Sequence, residues 1–215
     1  MKCTILEDSK NYTCSVIELP IPQPVKGLDN LMAVNVFGNQ CLVGKDSIPG
    51  TPHLFFPSEC QLSHDFLKNN NLYRHSELNT NPENKGFFED NRRVKAMKFK
   101  GIISSGFVIP VSSLYYISDD IKVSPGQEFN LLDGVEICRK YIKRGNGNGR
   151  VNSPRQKILD EIIDSKYAPE HFDTEHLRKN TEKLSLNDYI AITYKLHGTS
   201  ARYFRFMHRQ RLHRY

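Results

Sequence analysis

Between residues 14 and 111 the chain is a succession of short β-prone runs, each cut off by turn residues before it can grow. The runs lie at 14–19, 31–36, 40–43, 53–56, 94–99 and 107–111, and the breaks at Pro20-Ile21-Pro22-Gln23-Pro24, Gly38-Asn39, Ile48-Pro49-Gly50 and Ser104-Ser105-Gly106. Strands this short bury their apolar faces only by closing on one another, which predicts a small β-barrel or sandwich over residues 1–142. Residues 63–71 are expected as the one short helix inside it, and residues 78–90 as a polar, asparagine-rich loop.

The texture changes after that. Residues 143–154 include Gly145-Asn146-Gly147-Asn148-Gly149, too poor in apolar groups to offset the entropy of ordering, and read as a linker. A second, α+β part is expected over residues 155–215. Ile158, Leu159, Ile162 and Ile163 have the spacing of an amphipathic helix over 154–165. Residues 173–184 suggest a second helix, capped by Asp173 or Thr174, and residues 189–194 a strand running into Lys195.

Composition excludes several classes. No stretch approaches the roughly 18 consecutive apolar residues of a membrane span, and residues 1–10 lack the apolar core of a signal peptide, so a cytoplasmic protein is expected. The five cysteines are scattered without a Cys-x-x-Cys pair and are expected as reduced structural thiols. Cys60 and His64 have a metal-like spacing but no second pair, and no metal ligand is assigned. His171, His176, Asp119-Asp120 and Asp160-Glu161 read as ordinary surface. The net charge is +6, but five arginines and no acid fall in residues 202–215, which leaves the other 201 residues at +1. A nucleic-acid partner must therefore be argued from local patches.

One such patch is Arg92, Arg93, Lys95, Lys98 and Lys100. Strand alternation puts Lys98 and Lys100 on the face of Arg92, and with Phe99, Tyr115 and Tyr116 they suggest a groove that holds phosphates and stacks bases. An ordinary solvated strand face explains the same residues. Arg202 and the arginine-rich end form a second basic candidate, a nucleic-acid-binding tail.

The residue that most strongly suggests chemistry is Lys195. A lysine that attacks a phosphate must present a neutral amine, so its pKa has to fall from ~10.4 through desolvation or neighbouring positive charge. The bare pattern Lys-x-x-Gly decides nothing, because it recurs at Lys98-Phe99-Lys100-Gly101. A strand-end lysine before a turn glycine is the plain alternative. The longer string Lys195-Leu196-His197-Gly198-Thr199-Ser200-Ala201-Arg202 resembles motif I of the ATP-dependent RNA ligases, members of the covalent nucleotidyltransferase superfamily. Residues 171–180 look like the segment before motif I in ligases with an N-terminal OB-type domain, and residues 93–110 resemble a strand-turn-strand of that domain.

The resemblance implies an OB-like β-barrel followed by the incomplete start of a nucleotidyltransferase (adenylation) domain. It implies Lys195 as the adenylated nucleophile, Thr193, Tyr194 and Leu196 around the adenine, and His197 and Gly198 near the sugar and phosphate. ATP and Mg2+ would be the cofactors, the metal ligands lying outside this chain, and RNA 5′-phosphate and 3′-hydroxyl ends the substrates. Family members often carry glutamate where this chain has Tyr194, so adenine recognition would differ in detail. The downstream glutamate and paired-lysine motifs have no room in the 13 residues after Arg202. That suggests a truncated or frame-shifted ligase, or half of a split one completed by a second chain; the alternative is a non-catalytic nucleic-acid-binding module. A barrel ahead of the lysine, with His197 third in the motif, favours RNA ligases over capping enzymes and DNA ligases.

Overall fold

The computed structural model describes residues 1–143 and 177–192. Contacts between Cα atoms divide the chain into one unit over Met1–Lys143 and another over Arg144–Tyr215.

The first unit is mostly β. Its strands are β1 (Cys3–Thr4), β2 (Cys14–Glu18), β3 (Gln23–Pro24), β4 (Leu31–Val36), β5 (Asn39–Gly44), β6 (Pro52–Phe56) and β7 (Cys60–Leu62). The helix α1 (His64–Asn69) follows. Then come β8 (Met97–Phe99), β9 (Ile102–Ser104), β10 (Phe107–Pro110), β11 (Glu128–Phe129), β12 (Leu131–Leu132), β13 (Val135–Glu136) and β14 (Cys138–Lys140). The runs at 14–19, 31–36, 40–43, 53–56 and 107–111 all contain strands. The run at 94–99 becomes one only from Met97 onward.

These strands form several small antiparallel sheets, and among the described residues they do not close into a barrel. The largest has the order β10-β6-β2-β11, with Val16 opposite Leu54 and Val108 opposite Phe55. Alternation along β6 explains why it is central: Leu54 and Phe56 enter one core while Phe55 enters another, so both faces are covered. The larger core gathers Cys14, Val16, Leu54, Phe56, Phe66, Leu114 and Phe129. The smaller gathers Ile17, Val34, Val36, Cys41, Val43, Phe55 and Val108 beneath the β4–β5 hairpin. Burying a side chain such as Phe56 stabilises by roughly 1.5–3 kcal/mol.

Three hairpins turn on two residues, both with positive φ: Phe37-Gly38, Lys100-Gly101 and Asp133-Gly134. That is the type I′ turn, whose twist matches the strands it joins. The second Lys-x-x-Gly is thus a hairpin turn. Helix α1 begins where expected, its Ser63 hydroxyl accepting from the Phe66 N–H at 3.1 Å.

The short strands β1, β3, β7 and β11 to β14 carry no periodic signal, being two or three residues long. Many are organised by Asn130, wholly buried, whose side chain accepts from the Leu6 N–H (3.0 Å) and donates to the Tyr12 and Cys138 carbonyls (both 3.2 Å). Four of the five cysteines are buried and all five are free. The Cys60 thiol points at the Tyr12 carbonyl (3.5 Å), and His64 Nδ1 sits 2.9 Å from the Tyr73 hydroxyl.

In the second unit, the described part of the helix expected over 173–184 is instead two 3-10 turns, Leu177–Lys179 and Thr181–Lys183. The strand expected over 189–194 is likewise absent from its described residues, and Tyr189, Ile190 and Ile192 are exposed. A strand needs a ladder partner as well as β-prone side chains, and none of the described residues supplies one. No helix of the described residues is long and apolar enough to cross a membrane.

Candidate nucleic-acid interface

Lys195, Thr193, Tyr194, Leu196, His197, Gly198 and Arg202 lie outside the described residues. The described candidates, Lys98 and Lys100, stand on the β8–β9 hairpin. Residues 91–118 contain no acid and five cations.

The segment leading to this hairpin is held by backbone bonds on both sides. The Phe88 N–H donates to the Leu72 carbonyl (3.0 Å) and the Arg74 N–H to the Phe88 carbonyl (2.8 Å). Farther along, the Val94 N–H donates to the Cys60 carbonyl (2.7 Å) and the Glu59 N–H to the Val94 carbonyl (2.8 Å). Two ion pairs tie down the side chains between. Arg93 donates to Glu59 at 2.5 Å and lies 5.0 Å from the Tyr141 ring centre; Lys95 donates to Glu89 at 2.7 Å. The hydrogen bond and charge of Lys95 hold the Glu89 carboxyl below its ordinary pKa, and the hydrogen bond to Glu59 raises that of Arg93.

The hairpin itself is anchored along the edge of β5. The Gln40 side-chain amide donates to the Ile103 carbonyl (2.7 Å), the Ser105 N–H to the Gln40 carbonyl (2.7 Å), and the Leu42 N–H to the Ser104 hydroxyl (3.1 Å). Gly106 is where the chain leaves β9. Its φ is +139°, and a Cβ there would sit 2.8 Å from the Phe55 ring and 3.2 Å from the Cys41 sulfur.

Anchored this way, the hairpin has two unlike faces. Lys98, Lys100 and Ile103 are exposed. Met97 and Phe99 instead line a cavity of about 250 Å3, whose wall also includes Phe87, Phe88, Phe107, Leu31 and Leu42, with Glu89, Arg93 and Lys95 as its charged members. Phe87 and Phe88 stack at 4.6 Å, and Phe107 meets them edge-on at 5.6 and 5.0 Å. Phe87 is 37% exposed, so this aromatic cluster opens to solvent.

The groove expected from the sequence is therefore rearranged. Phe99 does not lie beside Lys98, because alternation sends it to the opposite face. Tyr116 packs edge-on against Phe66 at 6.4 Å, where burial pushes its hydroxyl pKa up to about 12. Tyr115 borders a separate depression with Ile48, His53 and Val111. Sequence reasoning missed Phe87, Phe88, Phe107 and Met97. The Phe87-Phe88 dipeptide inside a polar stretch was the available signal.

No family model and no curated protein matches this chain. Among solved structures it is similar to Naegleria gruberi RNA ligase. A mutant with ATP and Mn matches at 14% identity over 66% of this chain and 36% of that chain, with a TM-score of 0.42. The ligase with PPi matches at 14% identity over 63% and 36%, with a TM-score of 0.41. A further mutant, with AMP and Mn, matches at 13% identity over 53% and 31%, with a TM-score of 0.36. The chain spans about a third of the length of the ligase chains it matches.

Proposed function

We propose that this chain belongs to an ATP-dependent RNA ligase: residues 1–142 an OB-like nucleic-acid-binding domain, 143–154 a linker, and 155–215 the beginning of the nucleotidyltransferase domain. The observation that carries this is the string Lys195-Leu196-His197-Gly198-Thr199-Ser200-Ala201-Arg202. The Lys98 copy shows that the bare four-residue pattern also occurs as a hairpin turn, so the longer string has to bear the weight.

The chemistry proceeds in three transfers. The neutral Lys195 amine attacks the α-phosphorus of ATP, a nitrogen–phosphorus bond forms, and pyrophosphate leaves. An RNA 5′-phosphate oxygen then takes the AMP from the lysine, restoring the amine. Finally a 3′-hydroxyl attacks that activated phosphate, forming the phosphodiester and releasing AMP. Covalent catalysis divides one difficult condensation into easier steps. Thr193, Tyr194 and Leu196 are assigned to the adenine, and His197 and Gly198 to the sugar and phosphate. Mg2+ would supply charge stabilisation to the transferring phosphate, and no residue of this chain is assigned to hold it.

The test uses α-labelled ATP and magnesium. Label should stay on Lys195 through denaturation when the chain is expressed with its downstream coding sequence, read in all frames, and should vanish in Lys195→Ala. Equal labelling of that variant would refute the proposal. By itself the 215-residue chain should take up little label, because the ions and cationic side chains of the later motifs provide most of the electrostatic stabilisation. A non-catalytic nucleic-acid-binding role is the second reading, favoured by the acid-free run over 91–118 and the open aromatic cavity.

A further inference from the structure

We infer that the cavity beneath the β8–β9 hairpin receives one unstacked base of a single-stranded nucleic acid, while the outer face of the same hairpin holds the adjoining phosphates. Size comes first. At about 250 Å3 the cavity is smaller than the roughly 300–1,000 Å3 of drug-sized sites, so it admits a single flat ring system and not a whole nucleotide.

Its walls suit such a ring. Phe87 and Phe99 border the cavity from the loop and from the hairpin, and Met97 and Leu42 supply adaptable apolar contact between them. Phe87 is also 37% exposed, an aromatic ring at the mouth. Every base has a π-face, so stacking there would tolerate any sequence. The Glu89 carboxylate, kept ionised by Lys95, supplies an acceptor in the wall for a ring or exocyclic N–H.

Charge decides between this occupant and an apolar protein side chain. Lys95 and Arg93 are each matched by a glutamate, but Lys98 and Lys100 are exposed in a run of 28 residues without an acid. A polyanion is attracted to that rim, whereas an apolar peptide gains nothing from it. The opposed faces of the hairpin follow the layout of a single strand with one base turned inward: ring beneath Met97 and Phe99, backbone along Lys98 and Lys100. The inference deepens the ligase reading for the choice of RNA over DNA, and rests on it only there.

The experiment measures binding of the full chain to a short single-stranded RNA, to the same strand in DNA, and to the same RNA with abasic central nucleotides. Phe87→Leu and Phe99→Leu keep apolar volume but remove the ring. Each should weaken binding by about 5- to 150-fold, the range for losing one base–aromatic stack, with the salt slope unchanged. The abasic strand should bind wild type as weakly as the intact strand binds those variants. Lys98→Ala with Lys100→Ala should instead flatten the slope of log K against log salt by about 1.4. Equal affinity for abasic and intact strands, unchanged binding by both leucine variants, or no binding of any strand would overturn the inference. So would leucine variants that alter only self-association, which would point to a protein occupant. The strands carry no 5′-phosphate and no ATP is added, so this binding does not draw on adenylation of Lys195, and failure of the labelling test and failure of this one are separable.

Discussion

Asn130→Ala tests the packing logic of the first unit most directly. The Asn130 side chain is wholly buried and joins three segments: it accepts from the Leu6 N–H and donates to the Tyr12 and Cys138 carbonyls. The Tyr12 carbonyl has substitutes, since the Cys60 and Cys138 thiols both point to it at 3.5 Å. The Leu6 N–H and the Cys138 carbonyl lose the amide outright. At about 1–3 kcal/mol for each of these two buried groups left unpaired, the variant should lose about 2–6 kcal/mol. Urea unfolding followed by far-UV circular dichroism and tyrosine fluorescence measures this, the chain having ten tyrosines and no tryptophan. Asn130→Asp adds a sign check. It would set a second oxygen against two carbonyls, which disfavours the charged form and raises its folded pKa. The added destabilisation should therefore grow as pH rises above the unfolded value near ~3.9, level off above the folded pKa, and disappear in acid. A loss below about 1 kcal/mol for Asn130→Ala would refute this account of how the short strands are held.

Gly86→Ala would drive a methyl into the Leu72 backbone, and should unfold the loop that carries Phe87 and Phe88; loss of amide-exchange protection at Phe88 and Arg74 is the readout. Gly106→Ala combines φ of +139° with a 2.8 Å approach to Phe55, and should cost about 1–3 kcal/mol by the same urea assay. The Glu89–Lys95 pair is about 40% exposed on both sides, so Glu89→Gln should cost under about 1 kcal/mol at neutral pH. Its folded pKa is depressed, so that contribution should be present above the unfolded value and lost as pH falls through the folded one. Burial raises the Cys14 and Cys60 thiols well above their ordinary pKa and pushes Cys41 up to about 12. Partial burial raises the Cys3 thiol as well, but Cys3 is the one cysteine that is not fully buried, so a thiol reagent should modify it first in the native chain and all five cysteines in denaturant.

Local rules written in the sequence fix a good deal of this protein. Alternation and turn chemistry marked β2, β4, β5, β6 and β10 and the short helix within 63–71, because each depends on neighbours two to four residues away. The likeness of the Lys195 string is likewise a property of consecutive residues. The bare Lys-x-x-Gly pattern is the same at Lys98 and Lys195, and only the longer string separates them in sequence; the pairing of β8 with β9 then makes Lys100-Gly101 a turn. The two- and three-residue strands and the role of Asn130 depend on partners as far as 129 positions away, as between Cys3 and Leu132, so no window of sequence contains them. The same holds for the basic face. Composition put Phe99, Tyr115 and Tyr116 with the lysines, but the anchoring of β9 to β5 turned Phe99 inward to line the same cavity as Phe87 and Phe107. A cavity exists only where separate segments fail to fill the space between them, and that is decided by tertiary packing alone.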